Sequence, residues 1–146
     1  MKGSFLFVLV WAVYLMQCAT GQSSKPRVQN ERLSPCPKSP NCVSSLSKEE
    51  SHYVEPLTYE GPLSTGREKL IAVINSMKRS EIVTVEPDYI HATFTSAIFR
   101  FVDDVEFLFD DERKSIDLRS ASRAGYTDFG VNRKRVEEIR SKFSST

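Results

Sequence analysis

Apolar periodicity in this chain predicts an α+β fold of order β-α-β-β-β-β-α, an antiparallel sheet with two helices packed on one face. Three observations carry that prediction. Leu70, Val73, Ile74 and Met77 recur at helical spacing, as do Val136, Ile139 and Phe143 further on. Between them, Val105, Phe107 and Phe109 before a charged turn, Asp111-Glu112-Arg113-Lys114, and Ile116 and Leu118 after it recur with period two. The order of strand and helix signals then matches a layered α+β domain rather than a parallel α/β one.

Taken in order, residues 22–51 have almost no apolar periodicity and are rich in Ser, Pro, Asn and charge, the composition of a tether ending in a cysteine loop. A single α+β domain is expected over residues 52–146. Val54 to Tyr59 is β-prone, and Pro56 restricts it to a sheet edge. Thr65 and Glu68 have capping-box spacing at the start of a helix that runs to about Arg79. Ile82–Val85 and Tyr89–Thr95 flank Pro87-Asp88 and form a hairpin, with Val83 and Val85 matched to Ile90, Ala92 and Phe94. In the next hairpin, pairing like with like leaves two registers. The one that sets Phe107 opposite Leu118 also sets Glu106 opposite Arg119, whereas a two-residue slip opposes Glu106 to Asp117. The first register is therefore expected. Gly125 to Gly130 forms a loop into a last helix over Val131–Phe143.

The first 21 residues read as an export signal. Lys2 precedes an apolar run of 12 residues, Phe5–Met16, and Ala19-Thr20-Gly21 fits a small-residue cleavage site. Twelve apolar residues fall short of the roughly 20 that span a bilayer. Two processing products stay open: cleavage before Gln22, or a lipoprotein signal ending before Cys18, whose preceding Gln17 departs from the usual small residue. The expected location is the periplasm or cell envelope, and the membrane enters only through a lipid on Cys18. Without Lys2 the chain has 19 basic and 19 acidic residues, a balance that argues against nucleic acid as a partner. Cys36 and Cys42 are an even pair in an exported chain and are expected to form a disulfide.

Chemistry is sparse. The sequence has no G-x-S-x-G, no H-E-x-x-H and no glycine-rich phosphate loop, and nothing calls for a metal or cofactor. His91, between Ile90 and Ala92, is expected on a polar strand face as a surface residue, and Arg133-Lys134-Arg135 as a solvated helix face. Two constellations remain. Asp104, Glu106, Arg119 and Arg123 form either an ion-pair ladder on a wet face or a grip on an anion. Arg119, Arg123, Tyr126, Asp128, Asn132 and Arg133 gather at a strand end and helix start, where donors converging on an anion are physically reasonable. The same residues also have a plain role, in which Asp128 or Asn132 caps the helix and the arginines pair with acids.

Three blocks resemble one known family: Ser34-Pro-Cys-Pro-Lys-Ser-Pro-Asn-Cys-Val-Ser-Ser45, Phe99-Arg-Phe-Val-Asp-Asp-Val-Glu-Phe107, and Arg119-Ser-Ala-Ser-Arg123 through Gly125-Tyr126, Asp128, Gly130 and Asn132-Arg133 to Arg135-Val-Glu137. Over about 110 residues, Leu33 to Phe143, the chain is similar to the exported bacterial and plastid-associated proteins of domain of unknown function 1499. That resemblance implies export, frequent lipoprotein status and one compact domain; it supplies no activity. The function expected is a non-enzymatic binding or accessory module of the cell envelope, with an arginine-rich anion site and an unidentified envelope ligand or protein as partner. The competing class is a small hydrolase using Asp103, Asp104 or Glu106 beside the arginines.

Overall fold

The computed structural model describes residues 28–29 and 32–145. The signal segment, Cys18 and most of the upstream tether lie outside the described residues. The elements are β1 (Val28–Gln29), β2 (Arg32–Leu33), β3 (Cys42–Ser44), β4 (Leu57–Thr58), α1 (Leu63–Ser76), β5 (Ser80–Val85), β6 (Tyr89–Thr95), β7 (Val102–Asp110), β8 (Ser115–Ser122) and α2 (Val131–Ser145). From β4 onward this is the predicted α+β order. The main antiparallel sheet runs β3-β8-β7-β6-β5, with β4 also paired to β8. β1 and β2 pair separately, and β2 packs against β7 and β8 with Leu33 buried outside the main core.

Strand alternation sends Ile90, Ala92, Phe94, Val105, Phe107, Phe109, Ile116 and Leu118 to one face. There they meet Leu70, Val73 and Ile74 of α1 and Val136, Ile139 and Phe143 of α2. These are the helical stripes read from the sequence. The β7–β8 register is the expected one, with Phe107 opposite Leu118 and Glu106 opposite Arg119.

Three local expectations are corrected. α1 begins at Leu63 behind Pro62, with no side-chain cap, so the Thr65/Glu68 spacing is not used as a capping box. Proline suits the helix entrance because its fixed φ is already helical in character and its missing N–H has no intrahelical acceptor there. A bulge between Ile82 and Thr84 makes Ile82, not Val83, the partner of Ala92; Val83 and Val85 are about half exposed. β5 is an edge strand, where such a bulge is tolerated. Finally, Cys42–Ser44 is a strand of the main sheet, so the ordered fold starts before residue 52. Val43 enters the core opposite Ser120, and Cys42 is bonded to Cys36 with a Cα–Cα distance of 5.6 Å.

Candidate functional site at the loop end of the sheet

β6 ends, β7 begins, β8 ends and α2 begins at one end of the sheet, and the polar chemistry collects there. On the face away from the helices, β6, β7 and β8 place His91, Glu106 and Arg119 in one row. Glu106 has no accessible surface; it accepts from Tyr89 Oη (3.0 Å) and Arg119 Nη1 (3.0 Å). Burial raises its pKa, and the Arg119 charge and Tyr89 bond only partly offset that. The Tyr89 hydroxyl is likewise pushed up, by burial and then by the Glu106 charge. Asp104 accepts from His91 Nε2 (2.7 Å) and from Arg123 Nε and Nη2 (both 2.8 Å). Burial opposes its charge, yet the Arg123 and His91 bonds win and hold the carboxyl below its usual range.

On the helix side, a second network ties three segments together. Arg135 Nη2 donates to Asp103 Oδ2 (2.6 Å), and its guanidinium lies 4.9 Å from the Phe94 ring centroid. Arg135 Nη1 and Ser120 Oγ both donate to Asn132 Oδ1. The fully buried Asn132 turns its amide group to Asp128 Oδ2 (2.7 Å), Ser122 Oγ (3.0 Å) and the Asn41 carbonyl (3.2 Å). Asn41 in turn donates to the Gly125 carbonyl at 2.7 Å. Asp128 closes the entry to α2, accepting from the backbone N–H of Gly130 and of Asn132, both at 2.9 Å. Gly125 and Gly130 adopt φ +85° and +80°, which supply the left-handed turns this loop needs.

Beside that network, the ends of α1 and β6 and one side of α2 from Val131 to Lys142 border an open groove of about 550 Å³. Lys78, Arg79, Lys134, Arg135, Lys142 and Glu138 line it, Arg135 being already paired with Asp103. The loops that supply Ser96 and Ala97 and lead into Val131 carry side chains that the core does not claim. Ile98 and Phe99 are 82% and 73% exposed on the β6–β7 loop, and Tyr126 and Phe129 are 73% and 87% exposed on the β8–α2 loop.

The three sequence blocks therefore meet in space: Asn41 and Cys42 from the first, Asp103 to Phe107 from the second, and Arg119 to Arg135 from the third. A profile for proteins of unknown function (DUF1499) matches residues 32–143, most of the chain. The chain belongs to the DUF1499 family. Compared with curated proteins, it has no match.

Within this DUF1499 domain the residues singled out from sequence are divided, not pooled. Arg119 and Arg123 lie on the outer sheet face with Glu106 and Asp104. Asp128 and Asn132 brace the helix entry from the other side. Arg133 turns away to the Tyr53 and Ser51 carbonyls, both at 2.8 Å, and Tyr126 stands in solvent. Asp104 and Glu106 are buried; the Glu106–Arg119 pair is therefore not on a wet face, while Arg123 meets Asp104 from the solvent side. His91 is only 6% exposed and bonds Asp104, against its expected surface placement; a polar residue in a strand is buried when its neighbours supply partners. Arg135 likewise belongs to a buried pair and not to a solvated face. Tyr89, Asn41 and the groove lysines were not singled out. Tyr89 directly precedes the Ile90-His91-Ala92 alternation and shares its outer face with His91, which was a usable signal. The groove joins residues more than 60 positions apart, and no sequence spacing reports it.

Among the described residues no group of His, Cys, Asp and Glu is placed to hold a metal ion. His52 Nδ1 bonds the Cys42 carbonyl at 2.7 Å, so that histidine is engaged by the cysteine strand's backbone.

Proposed function

We propose that this DUF1499 protein is a non-enzymatic anion-binding module of the cell envelope, exported by its N-terminal segment. Ligand enters the groove between α1 and α2. The observation that carries this reading is the cationic lining there: Lys78, Arg79 and Lys134 border a concave space large enough for a small ligand, with Glu138 as the one carboxylate among its lining residues. Arg119, Arg123, Asp128 and Asn132 act as the frame. Their bonds fix the end of β8, the β8–α2 loop and the first turn of α2, which hold Val131 and Lys134 in the groove lining. Preorganising a loop in this way lowers the ordering cost of binding.

The hydrolase reading draws no support from the acids. Asp103, Asp104 and Glu106 each accept from an arginine; protonation of Asp104 is disfavoured by two partners, and Glu106, whose pKa burial raises, has no accessible surface for a substrate to meet. A general acid needs a carboxyl poised near the working pH and within reach of substrate.

A thermal-shift titration of the protein with inorganic pyrophosphate tests the groove. The melting temperature should rise with concentration, as it must when only the folded state binds. The response should disappear in Lys78→Glu/Lys134→Glu. An equal response in that double variant places the anion elsewhere and ends the reading.

A further inference from the structure

The groove opens between two loops that spend apolar side chains on water. The β6–β7 loop projects Ile98, Phe99 and Phe101, with the two phenyl rings stacked at 5.6 Å. The β8–α2 entry projects Tyr126, Phe129 and Val131. These loops share one end of the sheet: the Arg123 N–H donates to the Val102 carbonyl, and Ser96, Ala97 and Val131 all line the groove. Scattered exposed apolar residues need no explanation, but six large ones on two adjoining loops do. Phe129 holds φ +53° and Arg100 φ +57°, left-handed conformations that non-glycine residues rarely adopt. Both loops thus present their tips in sharp turns, held from beneath by the Ser96–Phe101 and Asp128–Asn132 bonds.

Two partners compete for such a surface, another protein or a bilayer. Lysine is depleted from the cores of protein interfaces, whereas aromatic and aliphatic tips collared by Lys and Arg are the composition of a membrane-interface contact. Arg100 sits between Phe99 and Phe101, and Lys78, Arg79 and Lys134 line the groove together with Ser96, Ala97 and Val131 of these loops. Only Glu138 opposes them in the groove. A flat anionic surface matches both parts at once: phosphate at the depth of the cations, acyl chains at the depth of the rings.

We propose that the loop end docks on an anionic bilayer, with lipid phosphate entering the groove while Ile98, Phe99, Phe101, Tyr126 and Phe129 reach the acyl boundary. This rests on the anion-binding reading of the groove and names its ligand class as membrane phospholipid.

The only tryptophan in the chain is Trp11, so a single reporter can be placed at a loop tip. The full chain carrying Trp11→Phe and Phe99→Trp is mixed with phosphatidylcholine vesicles, with or without roughly one third phosphatidylglycerol. On anionic vesicles the tip tryptophan should shift to the blue and be quenched by brominated acyl chains. Lys78→Glu/Lys134→Glu should weaken this partitioning by about tenfold or more, since each basic residue near an anionic surface contributes several-fold. Vesicle binding with unshifted emission means attachment through the N-terminal segment alone and overturns the proposal. An equal shift on neutral vesicles overturns it too, because the cations then play no part. A soluble dimer that Phe99→Ser/Phe129→Ser dissociates, with no vesicle response, assigns the face to a second copy of the chain instead. The pyrophosphate titration separates the two readings: stabilisation by pyrophosphate without vesicle insertion keeps the anion site and removes the membrane, and failure of both removes both.

Discussion

Toward the loop end of the β7–β8 hairpin, Asp103, Asp104 and Glu106 are buried and each receives an arginine. At the turn end, Asp110 and Asp111 reach solvent and face Arg113 and Lys114 at 2.6 Å each. The pair distances are similar at both ends; the medium is not. In water, screening and side-chain entropy consume most of an ion pair's attraction, while in the interior an acid without its cation bears the full desolvation cost. The exposed Asp111–Lys114 pair can therefore lose a charge at little cost, whereas Arg113 also reaches the buried Asp117 at 2.8 Å. The loop end is held in a single arrangement by groups that none of its partners can spare.

The largest expected effect follows from that difference. Arg119→Ala leaves Glu106 charged, fully buried and bonded only to Tyr89, and should cost about 3–5 kcal/mol. A wet-face ladder would have lost under about 1 kcal/mol for the same change. Replacing both partners, as Glu106→Leu/Arg119→Met, should recover most of the loss, because the penalty belongs to the unpaired charge. Urea unfolding of the three proteins measures both numbers. A cost below 1 kcal/mol for Arg119→Ala would mean that the outer face is wetter than its burial indicates.

Next in size is the cysteine loop, which hangs from the same end. Asn41 and Cys42 join it to Gly125, Asn132 and β8. Closing a loop with a separation of 6 residues should contribute roughly 2–2.5 kcal/mol by chain entropy. Cys36→Ser/Cys42→Ser should lose about that much while keeping a cooperative transition, since the core cluster contains neither cysteine. Two titratable thiols in the folded, air-exposed wild type would remove the bridge.

The same contrast explains what was legible from sequence. The faces of β6, β7 and β8, both helical stripes and the β7–β8 register could be read because they depend on local period, and period is written into neighbouring residues; the bulge in β5 broke that period. Glu106 opposite Arg119 was legible for the same reason. Whether that pair is wet or dry was not, because the answer depends on what lies over the sheet. Strand β3 was missed since a three-residue strand has no period to detect, and the tether's polar composition masked it. Arg135 and Lys134 are adjacent on one helix and both line the groove, yet only Arg135 pairs with the buried Asp103, and that depends on how α2 packs on the sheet.

A smaller effect appears in pH dependence. Asp104 has a lowered pKa in the fold, so it contributes stability above about pH 3.8 that is lost as pH falls through its folded value. Glu106 acts in the opposite direction. Its folded pKa is raised above 4.5, so the folded state binds its proton more tightly, and stability falls as pH rises from there to the folded value. Wild type should therefore pass a stability maximum near the gap between the two windows. Glu106→Gln has no proton to lose there, so its stability relative to wild type should improve as pH rises from about 4.5. A difference that stays flat across pH 4–7 would show that Arg119 and Tyr89 cancel the burial of Glu106 completely.

The smallest effect is predicted at the turn end, and it decides whether the comparison holds. Asp111→Asn removes the charge facing Lys114 but keeps an oxygen to accept the Tyr59 hydroxyl, now 2.8 Å from Asp111 Oδ1. Lys114→Met keeps an unbranched stem near the Tyr59 ring and loses only the ammonium, which now bonds Asp111 and the Gly61 carbonyl. Either change breaks an ion pair as short as any at the loop end, since Asp111–Lys114 and Asp103–Arg135 are both 2.6 Å. If distance governed, the two ends would respond alike. If burial governs, both variants should melt with wild type within measurement error, and pyrophosphate should stabilise them equally. A melting temperature that falls as far as that of Arg119→Ala would make the turn a structural anchor, and the division of this hairpin into a tolerant end and a fixed end would have to be given up.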